Sequence, residues 1–342
     1  MHPAAATHRM EVLGLDIGGA NLKAAHARGA ARLVPFALWK RPELLPERLR
    51  ELLDGLPPWD VLAVTMTGEL CDCFENKRAG VRAILDAVRH VAEPSRVRLW
   101  SNLGRFVAWD AATHDPLMLA SANWRALAQF ALTFADSGPG LLVDVGSTTT
   151  DIIPWENGVL KPRGLTDTER LRAGELIYQG VKRTPLCAVL GAGHAAEFFA
   201  TMWDALLVLH VADEDPEDCD TADGRPATRS AAAHRVARMV CGDAQTCSPS
   251  EVTALARRAV HNVVHSVRTG VDAVAKRSSA PPATIVLAGS GEFLLQRWHA
   301  EIFAFPLARV VSLGQELGPQ ISACACAYAL ARLCGRPEKG HQ

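Results

Sequence analysis

Two short stretches of the chain carry residues whose types and spacing suit the binding of phosphate. The stretch "GLDIGGANLKAA" begins at Gly14, and "LVDVGSTTTDII" begins at Leu142. In each stretch an apolar run ends in an aspartate, a glycine follows two residues later, and small or polar residues come next. A glycine-rich turn after a strand lets backbone N–H groups approach an anion with no Cβ in the way. Both stretches therefore predict anion-binding turns.

The same turns supply carboxylates for a metal ion. Asp16 and Asp144 stand where predicted strands end, and a carboxylate there can hold Mg²⁺ or a metal-bound water. A third turn, in "IVLAGSGEF", lies between a predicted strand and a predicted helix, which suits a nucleotide or a second phosphate. The predicted anion ligands are Gly18, Gly19, Ala20, Asn21, Gly146, Ser147, Thr148, Thr149, Gly289, Ser290 and Gly291.

Cysteine and histidine patterns fit metal ligands less well. The nine cysteines are odd in number and form no paired Cys-x-x-Cys framework, which indicates reduced thiols. The two Cys-x-Cys pairs, beginning at Cys71 and Cys324, are interpreted as small buried residues. His261 and His265 have metal-ligand spacing on a predicted helix, but no HExxH pattern surrounds them. We interpret them as a pair on a helix face.

The elements that must position the turns occur in a repeated order. The first half reads strand–strand–strand–helix–strand from Val12 to Gly68, with a further helix and strand up to Ser101. The order restarts at Gly140 with a hairpin signalled by "ENG". A repeat of this kind dictates the architecture. We predict domains at 1–138 and 139–342, with a helical insertion at about 168–276. Asp16 and Asp144 are expected to face each other, so that the two turns clamp one phosphate chain.

Composition limits the classes of function. Hydrophobic residues make up 49% of the 342 residues, which predicts a globular protein with a full core. The 36 Lys and Arg nearly balance the 37 Asp and Glu, which disfavours nucleic-acid binding through bulk charge. No apolar run approaches the ~18 residues that span a membrane, and the start lacks the apolar region of a signal peptide. These features predict a cytoplasmic protein that acts on small molecules, without nucleic-acid or membrane partners.

The three glycine-rich turns together resemble those of a superfamily. "DIGGANLK", "DVGSTTTD" and "VLAGSGEF" are similar to the two phosphate motifs and the adenosine motif of actin, Hsp70 and the sugar kinases. The resemblance implies an α/β fold of two ribonuclease-H-like domains with a central cleft. The GxGxxG pattern is absent, so a Rossmann dinucleotide site is not supported.

Longer phrases resemble a narrower family. "VTMTGELCDCFENKRAGV", "SANWRALA" and "GLTDTERLRAGELIYQGVKRTPLCAV" are similar to hydantoinase/oxoprolinase-like proteins of tetrahydromethanopterin and methanofuran one-carbon metabolism, from about Val12 to Leu333. The resemblance implies a transferase of methanofuran-type coenzyme biosynthesis. It would join an aminomethylfuran-methyl diphosphate to the phenol of γ-glutamyltyramine and release diphosphate, with Mg²⁺ and without ATP.

This chemistry assigns roles to particular residues. Backbone N–H groups, Lys23 and a metal at Asp16 and Asp144 would neutralise the departing diphosphate. A carboxylate must take the phenol proton, and Glu69 is one candidate, with Asp72 as its rival. A helix-capping box explains Thr166 and Glu169 adequately. The candidate substrate-binding residues are Thr67, Asn123, Arg163, Asp167, Arg170, Asp223 and Arg225.

Two other classes of function stay open. One is an ATP-dependent enzyme, either a small-molecule kinase or a hydantoinase/oxoprolinase-like hydrolase, which an intact adenosine turn at Gly289–Gly291 would favour. The other is a non-catalytic sensor or scaffold, which the dense polar residues of both turns disfavour. Thermal stabilisation by diphosphate would favour the transferase, and stabilisation by ATP with Mg²⁺ would favour the ATP-dependent enzyme. The sequence leaves a homo-oligomer open.

Overall fold

The computed structural model describes residues 10–335, which fold around two β-sheets. The strands of the first sheet are β1 Val12–Ile17, β2 Asn21–His26, β3 Ala31–Pro35, β4 Val61–Met66, β5 Val97–Trp100 and β6 Phe106–Val107. The later strands are β7 Gly140–Val145, β8 Thr150–Glu156, β9 Val159–Leu160, β10 Leu176–Ile177, β11 Thr284–Ala288 and β12 Arg309–Ser312.

Helices account for most of the remaining regular structure, and a single long one, α9, dominates them. The helices are α1 Leu45–Asp54, α2 Lys77–Arg89, α3 Trp109–His114, α4 Asn123–Ala131, α5 Asp167–Ala173, α6 Leu186–Leu190, α7 Met202–Val208, α8 Arg229–Ala237, α9 Pro249–Ala275, α10 Glu292–Arg297, α11 His299–Ile302, α12 Leu313–Leu317, α13 Pro319–Ser322 and α14 Ala325–Cys334. Among residues 10–335, no helix combines the length and apolarity needed to cross a membrane.

The chain forms two compact units. The first contains residues up to Ala135, Gly158–Glu169 and the residues from Val311 onward, and the second contains Asp136–Asn157 and Arg170–Val310. The predicted boundary at 138 lies close to Ala135, where the chain first leaves the first unit. The predicted second domain, 139–342, differs from the second unit because the chain returns to the first unit at Val311. The difference arises because α14 packs on β1, so the last helix belongs to the first unit.

In the first unit, β1 separates two layers of apolar packing. Leu13, Leu15 and Ile17 belong to the larger core, with α1 and α2, whereas Val12 belongs to a smaller core with α4 and α14. This division follows from the alternation of side chains along a strand. Asp16 shares the face of Val12, so its side chain lies on the side of the sheet that α4 and α14 cover.

Close backbone packing fixes α14 against this face. A Cβ on Gly14 would overlap the carbonyl oxygen of Ala327 in α14. Glycine at this position therefore lets the helix lie directly on the strand. The residues around this contact form two helices, because α13 ends at Ser322 and α14 begins at Ala325.

The second unit repeats the strand order of the first. Its sheet runs β10-β8-β7-β11-β12, and the first runs β3-β2-β1-β4-β5-β6. In the first sheet β1 is antiparallel to β2 and parallel to β4. In the second sheet β7 is likewise antiparallel to β8 and parallel to β11. The predicted repeat is confirmed, although its third strand, β10, is only two residues long.

The predicted helical insertion at about 168–276 is interrupted between its helices. In "HAAEFFATMWDALLVL", α7 begins only at Met202. Thr201 and Asp204 form a capping box there, in which each side chain accepts a hydrogen bond from the other residue's backbone N–H. This reciprocal cap starts the helix at Met202.

The helix α2 yields a prediction about stability. A Cβ on Gly80 would overlap the carbonyl oxygen of Glu69. Alanine at a helix position ordinarily stabilises a protein by about 0.5–1 kcal/mol relative to glycine, but here the overlap with backbone should dominate. We expect Gly80→Ala to lower the free energy of unfolding by about 1–3 kcal/mol in urea denaturation.

A glycine of α9 provides the matched control for Gly80. A Cβ on Gly270 would lie 2.7 Å from Ile152 Cδ1 and 2.8 Å from Ile177 Cδ1, which are the movable ends of side chains. Gly270→Ala should therefore cost less than Gly80→Ala. Equal or reversed losses would contradict the rigid contact between α2 and the Glu69 backbone.

Candidate active site

A row of polar side chains crosses the first sheet near the end of β1. Asp16 pairs with Lys23 of β2 on one side and with Thr65 of β4 on the other. Residues directly opposite each other on neighbouring strands project from the same face. The sheet therefore places Lys23, Asp16 and Thr65 side by side, on the face covered by α4 and α14.

Asp16 is a buried acid with an unsatisfied oxygen. Burial raises the pKa of Asp16, while the charge of Lys23 and a hydrogen bond from Asn123 lower it. Within the described residues, Asp16 Oδ1 and Thr65 Oγ1 are both buried without a hydrogen-bond partner. Buried polar atoms are normally satisfied, so this pair of atoms fits a group that the protein binds.

In the turn after β1 the carbonyl groups accept hydrogen bonds, whereas two N–H groups donate none within the described residues. Gly18 N donates to Asn21 O at 3.0 Å, which closes the turn. The carbonyls of Gly19 and Ala20 accept from Leu38 N and Phe36 N, at 2.9 and 3.0 Å. Within the described residues, the N–H groups of Gly19 and Ala20 have no acceptor. These are the groups that the sequence predicts for an anion.

The turn after β7 has the same hydrogen-bond pattern. Gly146 N donates to Thr149 O at 2.8 Å, and Ser147 O accepts from Lys182 N and Arg183 N at 3.0 and 2.9 Å. The N–H groups of Ser147 and Thr148 likewise have no acceptor among the residues that the structure describes. The repeat of sequence is thus a repeat of turn geometry.

The charges beside the two turns differ. Asp144 pairs with Asp151 of β8 and with Ala288 of β11, where Asp16 has Lys23 and Thr65. Asp151 is ion-paired with the buried Arg170. Only the first turn therefore has a lysine beside its aspartate, and the second has an acid already bound to an arginine.

The third glycine turn is explained by packing. Gly289 has a φ of +93°, and a Cβ there would overlap the Asp144 side chain. Gly291 N donates to Val145 O at 2.7 Å, which holds the turn against β7. Gly289 and Gly291 are thus required for the turn to lie against β7, whereas Ser290 is exposed. An anion-binding role for the three residues stays a prediction.

Glu69, the candidate base, is fully buried. Its Oε1 accepts a hydrogen bond from Ser121 Oγ at 2.7 Å, and its Oε2 has no partner among the described residues. Burial raises the pKa of Glu69; the Ser121 hydrogen bond and the charge of Lys77 lower it, and the charge of Asp167 raises it. The rival Asp72 is exposed.

Several of the predicted substrate-binding residues lie in the first unit near these acids. Asn123 donates to Asp16 and accepts from Trp124 N at 2.7 Å. Thr67 N donates to Ile17 O at 2.9 Å, next to the first turn. Asp167 lies 3.9 Å from Lys77 Nζ and influences Glu69. Arg163 is exposed.

The other predicted substrate-binding residues are engaged by the protein itself. Arg170, a candidate substrate-binding residue, is 1% exposed and ion-paired with Asp151, so its side chain has no face open to a substrate. Asp223 accepts from Arg225 Nε at 2.8 Å and from Arg235 Nη1 at 2.9 Å. These contacts give the "TADGR" segment a structural explanation. The capping box of Thr166 and Glu169 is confirmed.

Sequence reasoning missed three polar residues. Thr65 and Ser121 were not singled out, although one lies beside Asp16 and the other binds Glu69. Arg235, fully buried, joins Asp204 and Asp223 in an ion network. Ser121 lies 52 residues from Glu69 in the chain, so no local spacing could have indicated the contact.

Comparisons with known proteins place the chain among enzymes. A model of the hydantoinase/oxoprolinase family matches residues 60–333. The (4-{4-[2-(gamma-L-glutamylamino)ethyl]phenoxymethyl}furan-2-yl)methanamine synthase of Methanocaldococcus jannaschii is 30% identical over 337 residues, which cover 95% of this chain and 98% of that enzyme. The synthase of the same name from Methanococcus vannielii is 30% identical over 201 residues, covering 56% of this chain and 89% of that enzyme.

Solved structures agree with the predicted class of fold. The nucleotide-free structure of acetone carboxylase matches with a TM-score of 0.55 at 10% identity, over 94% of this chain and 70% of that chain. At this identity the likeness concerns the fold alone. Together with the repeated sheet order, it confirms the predicted α/β fold with two sheets of like topology.

Proposed function

We propose that this chain, which belongs to the hydantoinase/oxoprolinase family, is a transferase that forms an aryl ether in the biosynthesis of a methanofuran-type coenzyme. It would join an aminomethylfuran-methyl diphosphate to the phenol of γ-glutamyltyramine and release diphosphate. Both substrates are small molecules. The observation that carries the proposal is the 30% identity to the Methanocaldococcus jannaschii synthase over nearly the whole of both chains.

The name of that relative describes the bond to be made. Its product contains a phenoxymethyl group that links a furan to a γ-glutamylaminoethyl-substituted ring. Such an ether forms when a phenol oxygen attacks a furan-bound CH₂ group. The C–O bond to diphosphate breaks with its electron pair leaving on the diphosphate oxygen, and the furan ring stabilises the resulting cation.

The first turn and its neighbours suit the departure of diphosphate. The N–H groups of Gly19 and Ala20 have no other acceptor among the described residues, and Lys23 lies across the strand from Asp16. Fixed donors and a nearby cation stabilise negative charge as it develops on a leaving group. We assign charge neutralisation to these groups.

A magnesium ion fits the same place. Asp16 Oδ1 is buried and without a hydrogen-bond partner, and Mg²⁺ commonly binds one or two protein carboxylates together with substrate phosphates. In the part of the chain that the structure describes, no cluster of three or more His, Cys, Asp or Glu could hold a metal, so the substrate would complete the coordination. Asp16 is the proposed protein ligand in the first unit, and the ion would neutralise diphosphate charge.

Glu69 suits the removal of the phenol proton. Its Oε2 has no partner among the described residues, while its Oε1 is held by Ser121. A carboxylate in a dry environment is a stronger base than one in water, because burial raises its pKa. The phenol proton would move to Glu69 as the oxygen attacks the CH₂ group.

Direct incubation tests the proposed function. The protein would be mixed with the furan diphosphate, γ-glutamyltyramine and Mg²⁺, and the ether and the released diphosphate would be measured by mass spectrometry and a coupled assay. Equal amounts of both products are expected without ATP. Formation of ADP from ATP, with no diphosphate from the furan substrate, would instead identify an ATP-dependent enzyme.

Diphosphate should protect the protein against heat by binding the first turn. At a concentration about 100 times its Kd, a ligand stabilises the folded state by about 2.7 kcal/mol. A valine at Gly19 should abolish this protection, because its side chain would occupy the place of the anion. The shift of Tm with diphosphate measures the effect.

Cys71 determines the design of that experiment. A Cβ on Gly19 would lie 2.8 Å from Cys71 Sγ and meets no other atom within 4 Å. Gly19→Val should therefore be made together with Cys71→Ala, and the Cys71→Ala protein is the matched control. Protection that persists in the double variant would rule out the first turn as the anion site.

A further inference from the structure

Ser121 has a backbone conformation that serine rarely adopts. Its φ is +49°, which is one of four positive values at non-glycine residues within 10–335. The left-handed region is costly for most side chains, and residues held there tend to occur where the surroundings require a particular geometry. Ser121 lies two residues before α4, in a buried turn.

The turn delivers one polar group to each buried acid of the first unit. Ser121 Oγ donates to Glu69 Oε1 at 2.7 Å, and two residues later Asn123 donates to Asp16. Because Ser121 and Glu69 are both buried, this hydrogen bond is shielded from competing water. It occupies one carboxyl oxygen of Glu69 and leaves Oε2 without a partner among the described residues.

The other charged groups around Glu69 come from two helices. Lys77 of α2 lowers the pKa of Glu69, and Asp167 of α5 raises it. These two groups are ion-paired with each other at 3.9 Å. After burial, the Ser121 hydrogen bond has the largest effect on the pKa of Glu69. Its loss should therefore change that pKa more than the loss of the Lys77 or Asp167 charge.

We infer that Ser121 is a positioning residue, whose left-handed backbone and hydroxyl hold the Glu69 carboxyl with Oε2 directed to accept the substrate proton. The inference rests on the proposed function, since it assigns Ser121 a part in the proton transfer to Glu69. Ser121 itself contacts no reacting atom in this scheme. Its hydroxyl fixes the carboxyl and favours the ionised form.

The pH dependence of ether formation tests the inference. Ser121→Gly removes the hydroxyl and accommodates the positive φ, and Ser121→Ala removes the hydroxyl while keeping the unfavourable φ. Loss of the donor destabilises the carboxylate, so the pKa of Glu69 should rise and the acidic limb of kcat/KM should move up by about one pH unit in both variants. At pH values below that limb, kcat/KM of each variant should be about tenfold lower than that of the wild type, because the base must be ionised to accept the proton.

Ser101→Ala is the matched control. Ser101 is also fully buried, but its hydroxyl donates to the backbone carbonyl of Arg105 at 2.8 Å. This variant should keep the acidic limb of the wild type. If Ser121→Gly and Ser121→Ala also keep that limb, Ser121 has no positioning role and the inference is wrong.

A second measurement separates the inference from the proposed function. The Glu69 carboxyl can be titrated by NMR after ¹³C labelling of glutamate, with Glu69→Gln to assign its signal. An upward shift in the Ser121→Gly protein supports the contact independently of any product. An unchanged titration overturns the inference even if the wild type makes ether, whereas a shifted titration with no ether from the wild type overturns only the proposed function.

Discussion

Glu69→Gln should slow ether formation by about 10²–10⁴-fold, the usual contribution of a general base. Glutamine keeps the size of the side chain and retains an oxygen that can accept from Ser121 Oγ. It cannot take the phenol proton. Diphosphate release should fall much less, because water can trap the furfuryl cation when the phenol cannot.

The experiment requires that the two products be measured separately. Ether and diphosphate would be followed over the same time course in the wild type and in Glu69→Gln. Asp72→Asn is the control, because Asp72 is a nearby acid that is exposed. An equal loss of both products in Glu69→Gln would eliminate Glu69 as the phenol base.

The same substitution should change stability in the opposite direction to activity. Burial raises the pKa of Glu69 in the folded state above its ordinary value. An acid whose pKa is raised on folding stabilises the protein when protonated, and this contribution is lost as pH rises through the folded pKa. Glu69→Gln should therefore increase the free energy of unfolding at pH 7 relative to the wild type. The difference should disappear below about pH 4.

Asp16→Asn should lower the rate of diphosphate departure by about a hundredfold. One electrostatic contact with a developing charge is worth about 3 kcal/mol of transition-state stabilisation. Asparagine has the same shape but no charge to attract the proposed Mg²⁺ ion. Because departure precedes attack, ether and diphosphate should fall together, unlike the result expected for Glu69→Gln.

Folding should survive the Asp16 substitution. Burial raises the pKa of Asp16, so the wild type loses stability as pH rises and the acid ionises, and a neutral asparagine avoids that loss. Asp110→Asn, at an exposed position of α3, is the control for removing one acid. A selective loss of ether, with normal diphosphate release, would contradict the role assigned to Asp16.

The features that the sequence predicted correctly are local ones. The two turns were visible because glycine and aspartate recur at fixed positions after apolar runs, and the same hydrogen bonds close both turns. The strand order followed from alternation and turn residues over short windows. A pattern that is written in a dozen consecutive residues can be recognised without knowing the fold.

The features that the sequence did not predict depend on distant segments. The burial of Glu69 results from α2, whose Gly80 allows contact with the Glu69 backbone, and from Ser121, 52 residues away. Arg170 and Arg225 had the right charge for an anion, but their partners are acids of the same unit. Residue type indicates what a side chain can bind, whereas the fold decides which partner reaches it.

The packing of α14 on β1 has a consequence for how the protein is made. The strand β1 leaves the ribosome before the second unit, but the helix α14, which covers one of its faces, follows that unit in the chain. During synthesis that face, with Gly14 and Asp16, lacks its cover until α14 has emerged. The second unit, which ends at Val310, is complete earlier. Translation therefore completes the second unit before α14 can cover the first sheet, and that face of the nascent sheet stays open until α14 is made.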